Sequence, residues 1–158
     1  MILPEVGDEV LVGFEPGGFD EPYVLGGLYN GKDAMPQLST DPIDGASGEI
    51  AARAFVSRTG HKLEFVENDG ILLSTGDGKM SVRLDKKNQT VEIKAANGIT
   101  VDAGQGSLMM KAANGATVDA GQGTLTLKGM KVSAQGTTEA ELTGNAQVTV
   151  RGGIVKLN

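Results

Sequence analysis

Two consecutive segments of 17 residues, 94–110 and 111–127, have nearly the same sequence, and Lys128 begins a degraded third copy. Each copy holds two short stretches in which apolar and polar residues alternate, as Ile99 and Val101 do with the residues between and after them. Alternation with a period of two is typical of a strand that buries one face. The fixed step of eight to nine residues indicates a repetitive β structure in which each step packs against its neighbours.

The same step extends on both sides of the exact repeat and predicts an array of short strands over residues 56–158. Asp-Gly and Asn-Gly pairs separate several strands, and we expect their glycines to adopt the positive φ values that sharp turns require. The glycines of these pairs are Gly70, Gly78, Gly98 and Gly115. The predicted strands lie at 63–66, 71–74, 80–84, 91–94, 99–103, 108–112, 116–120, 125–127, 130–134, 139–142, 147–150 and 154–157.

The residues predicted to face inward are small or aliphatic, and no aromatic residue follows Phe65. Such a narrow interior favours a slender prism over a globule. One chain of short steps buries too little apolar area to offset an ordering entropy of about 1–2 kcal/mol per residue. We therefore expect three chains to wind together, which leaves no free lateral edge. The predicted core of this trimer consists of Ile99, Val101, Leu108, Met110, Val118, Leu125, Leu127, Val132, Leu142, Val148 and Val150.

The composition excludes several classes of protein. Glycine supplies 24 of the 158 residues, which argues against long helices. The chain has no cysteine, so a disulfide framework and a thiolate metal cluster are excluded. His61 is the single histidine, so a multi-histidine site would need several copies. No apolar run approaches the roughly 18 residues of a membrane span, and no signal peptide is recognisable, so we expect the protein to be soluble as made.

Charge divides the chain into two parts. Residues 1–50 carry ten acids and one base, whereas residues 51–158 carry ten acids and thirteen bases, which indicates two modules. In the first, residues 8–14 and 22–29 have the pattern of a hairpin from a small barrel, and residues 30–49 are rich in turn-forming residues. The predicted organisation is a barrel fragment (1–33), a connector (34–55) and a strand array (56–158).

Four segments resemble parts of one protein family. Residues 4–15 (PEVGDEVLVGFE) and 22–33 (PYVLGGLYNGKD) closely resemble the oligonucleotide/oligosaccharide-binding (OB) barrel of contractile injection system spikes. These spikes are the VgrG proteins of type VI secretion, phage baseplate spikes and the spikes of extracellular phage-tail-like particles. Residues 57–65 (SRTGHKLEF) resemble the family's entry into its triple-stranded β-helix, and residues 153–158 (GIVKLN) resemble its blunt needle end. The resemblance implies an all-β chain, with a partial OB-fold barrel followed by a trimeric intertwined β-helix.

The resemblance also implies partners and a location. Hub and tube proteins would bind the amino-terminal end, and a PAAR-type cap would sit on a tip formed by Val155, Leu157 and Asn158. The spike would be assembled in the producer cytoplasm, as part of a phage-tail-like particle or secretion apparatus, and delivered outside the cell or into the target envelope. Family members carry a large hub and further barrel strands before the first motif, so we expect this chain to be a piece of a longer protein. It shows no effector domain, so no enzymatic activity is carried over.

Several motifs suggest a ligand but fit a structural role better. His61, Glu64 and Glu67 could form a metal or acid–base cluster, but strand spacing sends His61 and Glu64 to opposite faces. The repeated Val-Asp-Ala-Gly-Gln-Gly and the Asp-Gly-Lys at Asp77 satisfy neither a calcium repeat nor a phosphate loop. We assign these motifs to corners of the array and expect neither a metal nor a cofactor.

Charged residues recur with the repeat. Lys94, Lys111 and Lys128 share one phase, and Asp102 and Asp119 share another, so they could form ion pairs between chains on the outer face. Exposed pairs contribute about 0–1 kcal/mol each, so we expect them to serve solubility and register. The acidic balance of the first fifty residues opposes contact with phosphates, so no nucleic acid partner is expected.

We expect a mechanical protein rather than an enzyme: a membrane-puncturing spike that transmits force and carries a tip cap. The alternative is the shaft of a trimeric fibre or adhesin for receptor or glycan binding, which predicts an exposed aromatic patch or a variable tip. A β-solenoid enzyme is a third class. Polysaccharide lyases need larger coils and acyltransferases need a hexapeptide rhythm, and a step of eight to nine residues fits neither.

Overall fold

The computed structural model describes residues 4–30 and 34–156. Seven strands lie in this part of the chain, and they form one two-stranded and one five-stranded antiparallel sheet. The described residues hold no helix, and so none that could cross a membrane. The predicted all-β class is confirmed. The chain divides into two units, Met1–Ala103 and Gly104–Asn158, each of which is described by itself.

The first sheet is the predicted amino-terminal hairpin. β1 (Val10–Phe14) pairs antiparallel with β2 (Pro22–Gly27), and a bulge interrupts their register. The rings of Phe14 and Phe19 meet edge to face with their centroids 5.3 Å apart. Two strands do not close a barrel, and an isolated hairpin is marginally stable at best. In the described residues the barrel fragment is therefore this hairpin.

Residues 52–95 form a five-stranded antiparallel sheet in which each strand pairs with the next along the chain; we call it the meander. The predicted strands at 63–66, 71–74, 80–84 and 91–94 are confirmed. The sheet also takes in a strand at 52–56, which the sequence analysis assigned largely to the connector. The strands are β3 (Ala52–Val56), β4 (Lys62–Val66), β5 (Gly70–Ser74), β6 (Met80–Asp85) and β7 (Thr90–Ala95).

The pairing of these strands corrects the sequence-based expectation. An intertwined β-helix from residue 56 requires each strand to bond to other copies, whereas β3–β7 bond to one another within one chain. Loops of three to five residues permit hairpins here. Large apolar pairs and the opposed charges of Arg83 and Glu92, which face each other across β6 and β7, favour them.

Gly70 shows how closely these strands approach. It has a φ of 148°, and a Cβ built on it would lie 1.9 Å from the Leu84 carbonyl oxygen. Gly78 and Gly115 also have positive φ, as predicted, whereas Gly98 does not. Three of the four predicted turn glycines therefore have the expected conformation.

The rest of the chain is organised differently. Residues 96–156, which we call the array, form no strand and are exposed throughout. The eight strands predicted from residue 99 onward are thus not formed in a single chain. A strand needs hydrogen bonds to a neighbour, and the small Ala, Ser and Thr side chains of this segment offer few cross-strand contacts that would fold it onto itself.

The surface area quantifies this difference. The chain exposes 14889 Å². A folded monomer of its mass exposes about 7,500 Å², and the extended chain exposes about 24,000 Å². Among the described residues, Ala52 and Glu64 are the two that are fully or nearly fully buried. One copy therefore leaves exposed roughly 7,000 Å² that a folded protein of this size buries.

Candidate functional site

The register of the meander sorts its side chains into two faces. Residues paired across neighbouring strands lie on the same side of the sheet, and successive residues of a strand lie on opposite sides. One side carries two apolar rows. The first row is Phe55, Leu63, Leu73, Val82 and Ile93, and the second is Phe65, Ile71, Leu84 and Val91 beside Arg53. We call these nine apolar residues the apolar face.

The apolar face is open to solvent in a single copy. Phe55 is 58% exposed, Leu73 53% and Ile93 57%, and no described residue covers them. One end of the face opens into a cavity of about 630 Å³, whose walls include Phe65 and Leu84. Soluble monomers rarely expose an apolar patch larger than about 300–600 Å². This face therefore has the character of an interaction surface.

The opposite side of the meander carries ion pairs. Arg83 Nη2 lies 2.6 Å from Asp69 Oδ2, and Lys94 Nζ lies 3.0 Å from Glu92 Oε2. Both pairs are partly or largely exposed, so each contributes about 0–1 kcal/mol. Their value is to make this side compatible with water, and we call it the polar face.

The connector covers one end of the polar face. The backbone N–H of Ser39 donates a 2.7 Å hydrogen bond to Glu64 Oε1, and Lys62 Nζ lies 3.2 Å from Glu64 Oε2. The N–H of Ala52 donates to the Pro42 carbonyl oxygen. The Glu64 side chain is fully buried in this arrangement. It therefore fastens the connector to the second strand of the meander.

The environment of Glu64 lowers its pKa. Burial alone would raise the pKa of this carboxyl group, because the charged form loses solvation. The hydrogen bonds from Ser39 and the Lys62 ammonium group act in the other direction, and the balance lowers the pKa below its ordinary value. Glu64 is therefore a buried carboxylate with a structural role.

The array presents the predicted core residues to solvent. Val118 is 69% exposed, Leu127 70% and Leu142 77%. Spacing within a strand still places members of this set on one side of the chain. A single copy brings none of them into a core, so each needs a covering surface from elsewhere. The other predicted core residues, all likewise exposed, are Ile99, Val101, Leu108, Met110, Leu125, Val132, Val148 and Val150.

Asp119 has a local role that the sequence analysis missed. Its Oδ1 accepts a 2.7 Å hydrogen bond from the Gly121 N–H, and the Gly123 N–H donates 2.8 Å to the Ala120 carbonyl oxygen. Gly121 has a φ of 54°, and Gly104 at the equivalent place has 57°. The signal was available in the sequence, since an aspartate two residues before a glycine is typical of a turn closed by its side chain.

The residues considered as ligands lie apart. His61 Nδ1 accepts a 3.1 Å hydrogen bond from the Gly76 N–H, Glu64 is buried beneath the connector, and Glu67 pairs with Arg53. Within residues 4–30 and 34–156, no three acidic, histidine or cysteine side chains come together as a metal site. Of the predicted tip, Val155 is 49% exposed, and Leu157 and Asn158 lie outside the described residues.

The apolar face is the main functional feature that residue-by-residue reasoning left out. The predicted core began at Ile99, yet each of four meander strands carries two large apolar residues separated by one other residue. These are Leu63 with Phe65, Ile71 with Leu73, Val82 with Leu84, and Val91 with Ile93. The spacing was visible, but the sequence did not show that all pairs share one side of a sheet.

Comparison with known proteins gives one finding at the amino terminus. Residues 1–29 are similar to the family described as the type VI secretion system/phage-baseplate injector OB domain. The similarity covers the hairpin and ends before the connector, so it includes 29 of the 158 residues. No match to the chain was found among curated proteins. The amino-terminal segment is thus similar to a baseplate injector domain, which suggests a role related to a phage baseplate or spike.

Proposed function

We propose that this chain forms the shaft of a central spike in a contractile injection system, as a homotrimer that punctures a target envelope and carries a cap at its tip. The observation that carries the proposal is the state of the array. Residues 96–156 expose a regular series of aliphatic side chains and form no strand by themselves. Such a segment gains both a core and hydrogen-bond partners when copies of it wind around one axis.

The similarity at the amino terminus gives the trimer a setting. A baseplate injector domain lies in a machine that is driven towards a membrane, and a stiff rod is what such a machine needs at its front. In the proposed trimer the strands lie across the axis and stack about 4.8 Å apart. Axial load then compresses hydrogen-bonded layers and an apolar interior, so function depends on shape and not on a reactive group.

The proposed partners follow from the two ends of the rod. The hairpin end faces hub and tube proteins, and the carboxyl end presents its last backbone edges to a PAAR-type conical cap, which could pair with them by strand addition. Assembly takes place in the producer cytoplasm, and the spike acts outside the cell or in the target envelope. No enzymatic step and no nucleic acid partner is part of this proposal.

The first test is the mass of the full chain in solution. Sedimentation should give three times the 16.3 kDa chain mass at micromolar concentration, and the trimer should resist heat and detergent. A single-chain mass under these conditions would contradict the proposal. The cap is tested by a pull-down with a PAAR-type protein. Deletion of residues 153–158 should abolish binding, and unchanged binding would exclude the tip as the platform.

The shaft of a receptor-binding fibre is the second candidate. The exposed aromatic residues of the hairpin favour it, since Phe19 is 83% exposed and Tyr29 61%. Aromatic side chains on a surface are common in sugar-binding sites because an apolar ring face stacks on them. Binding of the full chain to a glycan array, lost in Phe19→Ser, would support the fibre. Absence of any glycan binding would leave these rings as the interior of an incomplete barrel.

A further inference from the structure

The array can align with a copy of itself in more than one register. Residues 94–110 and 111–127 are identical at 13 of 17 positions. If one copy shifts by 17 residues along a trimer axis, Val101 meets Val118 of a neighbour, and the turn residues still coincide. Registers that differ by a whole repeat are weakly distinguished, because nearly the same contacts form in each.

The meander has no such ambiguity. Leu63 and Val82 occupy the same row two strands apart and are separated by 19 residues, whereas the corresponding separations are 18 residues from Phe55 to Leu73 and 20 residues from Leu73 to Ile93. Phe55 and Phe65 place aromatic rings on β3 and β4, and the other strands carry aliphatic residues. The strands are also bonded within one chain, so their order does not depend on a partner.

We propose that the apolar face packs against the same face of two further copies and thereby fixes the register in which the arrays pair. The inference rests on the trimer of the proposed function and goes beyond it by assigning the alignment of the chains to residues 52–95. The partner is a second and a third copy of this chain, and the surface is the apolar face.

Three observations favour a copy of this chain as the occupant. The pattern of two apolar residues separated by one continues from the meander into the array, as in Val91 with Ile93 and then Ile99 with Val101. The polar face carries the ion pairs, so the apolar face is the side available for packing. The roughly 7,000 Å² of excess surface per chain exceeds the 2,000–5,000 Å² typical of obligate interfaces, which points to partners on several sides.

Packing in a displaced register is costly at the meander. A shift by two strands would bring the rings of Phe55 and Phe65 to the level of aliphatic residues and leave two of the five strands without a facing strand. Mismatched volumes in a packed core typically cost 1–3 kcal/mol each. Hairpins between neighbouring strands form within about 1–10 μs. The meander can therefore be in place before the slower pairing between chains begins, and it then selects one alignment of the arrays.

The experiment uses the absence of cysteine in the chain. Full-length Val101→Cys and Val118→Cys proteins, carrying tags of different mass, are unfolded together, refolded together and oxidised. In the correct register, position 101 meets 101 and position 118 meets 118, so the cross-linked pairs have equal tags. A shift by one repeat joins 101 to 118 and gives a pair of intermediate mass.

The same mixture is then prepared with Leu73→Ser, on the apolar face, and with Leu72→Ser, on the polar face of the same strand. We expect the mixed pair to be rare with the unmodified meander, to rise several-fold with Leu73→Ser, and to stay rare with Leu72→Ser. An equal fraction of mixed pairs in all three samples would overturn the inference while leaving the trimer intact. A single-chain mass with no cross-link in any sample would overturn the trimer itself.

A milder variant covers the case in which Leu73→Ser prevents association altogether. Phe65→Leu keeps the face apolar and removes one ring, so the trimer should form with more mixed pairs than the unmodified meander gives. Trimers of Phe65→Leu with no increase in mixed pairs, combined with loss of association in Leu73→Ser, would show that the face holds the chains together without setting their register, and would overturn the inference.

Discussion

The meander and the array begin from the same alternation of apolar and polar residues and reach different structures. In the meander, large apolar residues and opposed charges stand across from each other, as Arg83 and Glu92 do, and the strands pair within the chain. In the array, small residues separate single aliphatic ones, and no strand forms in one copy. Alternation thus determines which side chains share a face, whereas the bulk and charge of cross-strand pairs determine whether the partner strand comes from the same chain.

The largest expected effect breaks the comparison at the array. Val118→Asp places three carboxylates near the proposed trimer axis, where a buried unpaired charge costs several kcal/mol. We expect the trimer to be lost at micromolar concentration. Amides of residues 104–156 should then exchange as in an unfolded chain, while amides of β4 and β5 exchange at least about tenfold more slowly, as hydrogen-bonded strands do.

Hydrogen exchange followed by mass spectrometry measures this difference. Thr117→Asp is the matched control, since it makes the same change one residue earlier, on the predicted outer side of the strand, and should leave the trimer intact. Protected amides in residues 104–156 of monomeric Val118→Asp protein would contradict the comparison, because the array would then fold within one chain.

The next effect tests the close approach of strands in the meander. Gly70→Ala puts a methyl group where a Cβ lies 1.9 Å from the Leu84 carbonyl oxygen, at a φ of 148° that other residues rarely adopt. We expect the free energy of unfolding to fall by about 3 kcal/mol or more, measured by urea unfolding followed by circular dichroism at one protein concentration. Gly98→Ala is the control, because its Cβ meets no atom within 4 Å. Equal effects of the two changes would show that β5 and β6 are not so close.

Much of this architecture could be predicted from the sequence because the signals are local. The hairpin of β1 and β2, the strands β4–β7 and three turn glycines follow from alternation and turn residues. The identity of partner strands could not be predicted, because hydrogen bonding between backbones leaves no mark in a one-dimensional pattern. Glu64 illustrates the same limit. Its position at a polar site of β4 was evident, but its burial depends on Ser39, which is 25 residues away.

A smaller effect separates the buried carboxylate from an exposed one. Glu64→Ala removes the acceptor of the Ser39 N–H and leaves the ammonium group of Lys62, which is 21% exposed, without its partner. We expect a loss of about 2–3 kcal/mol in the free energy of unfolding, because a hydrogen bond to a charged group contributes about 1.5–3 kcal/mol. Glu67→Ala, whose pair with Arg53 is exposed, should cost less than about 1 kcal/mol.

Urea unfolding of both variants measures the contrast. Proteolysis adds a local readout, since release of the connector in Glu64→Ala should expose residues 34–50 to cleavage while the meander stays resistant. Equal losses of stability in the two variants, with no new cleavage in the connector, would show that Glu64 does not hold this segment.

The smallest effect is the dependence of the meander on acid. The pKa of Glu64 is lowered in the folded protein because the Ser39 hydrogen bonds and the Lys62 charge outweigh burial. A lowered pKa means that the carboxylate stabilises the fold above the ordinary glutamate value of about 4.3, and that this contribution is lost as the pH falls through the folded-state pKa. One such group changes the free energy of unfolding by at most about 1.4 kcal/mol per pH unit. Urea unfolding at a series of pH values below about 4.3 should therefore show a shallower decline for Glu64→Gln, which cannot titrate, than for the unchanged chain. Parallel declines would assign the acid sensitivity to exposed carboxylates such as Asp77 and Asp85, whose pKa values are lowered by hydrogen bonds within their own turns.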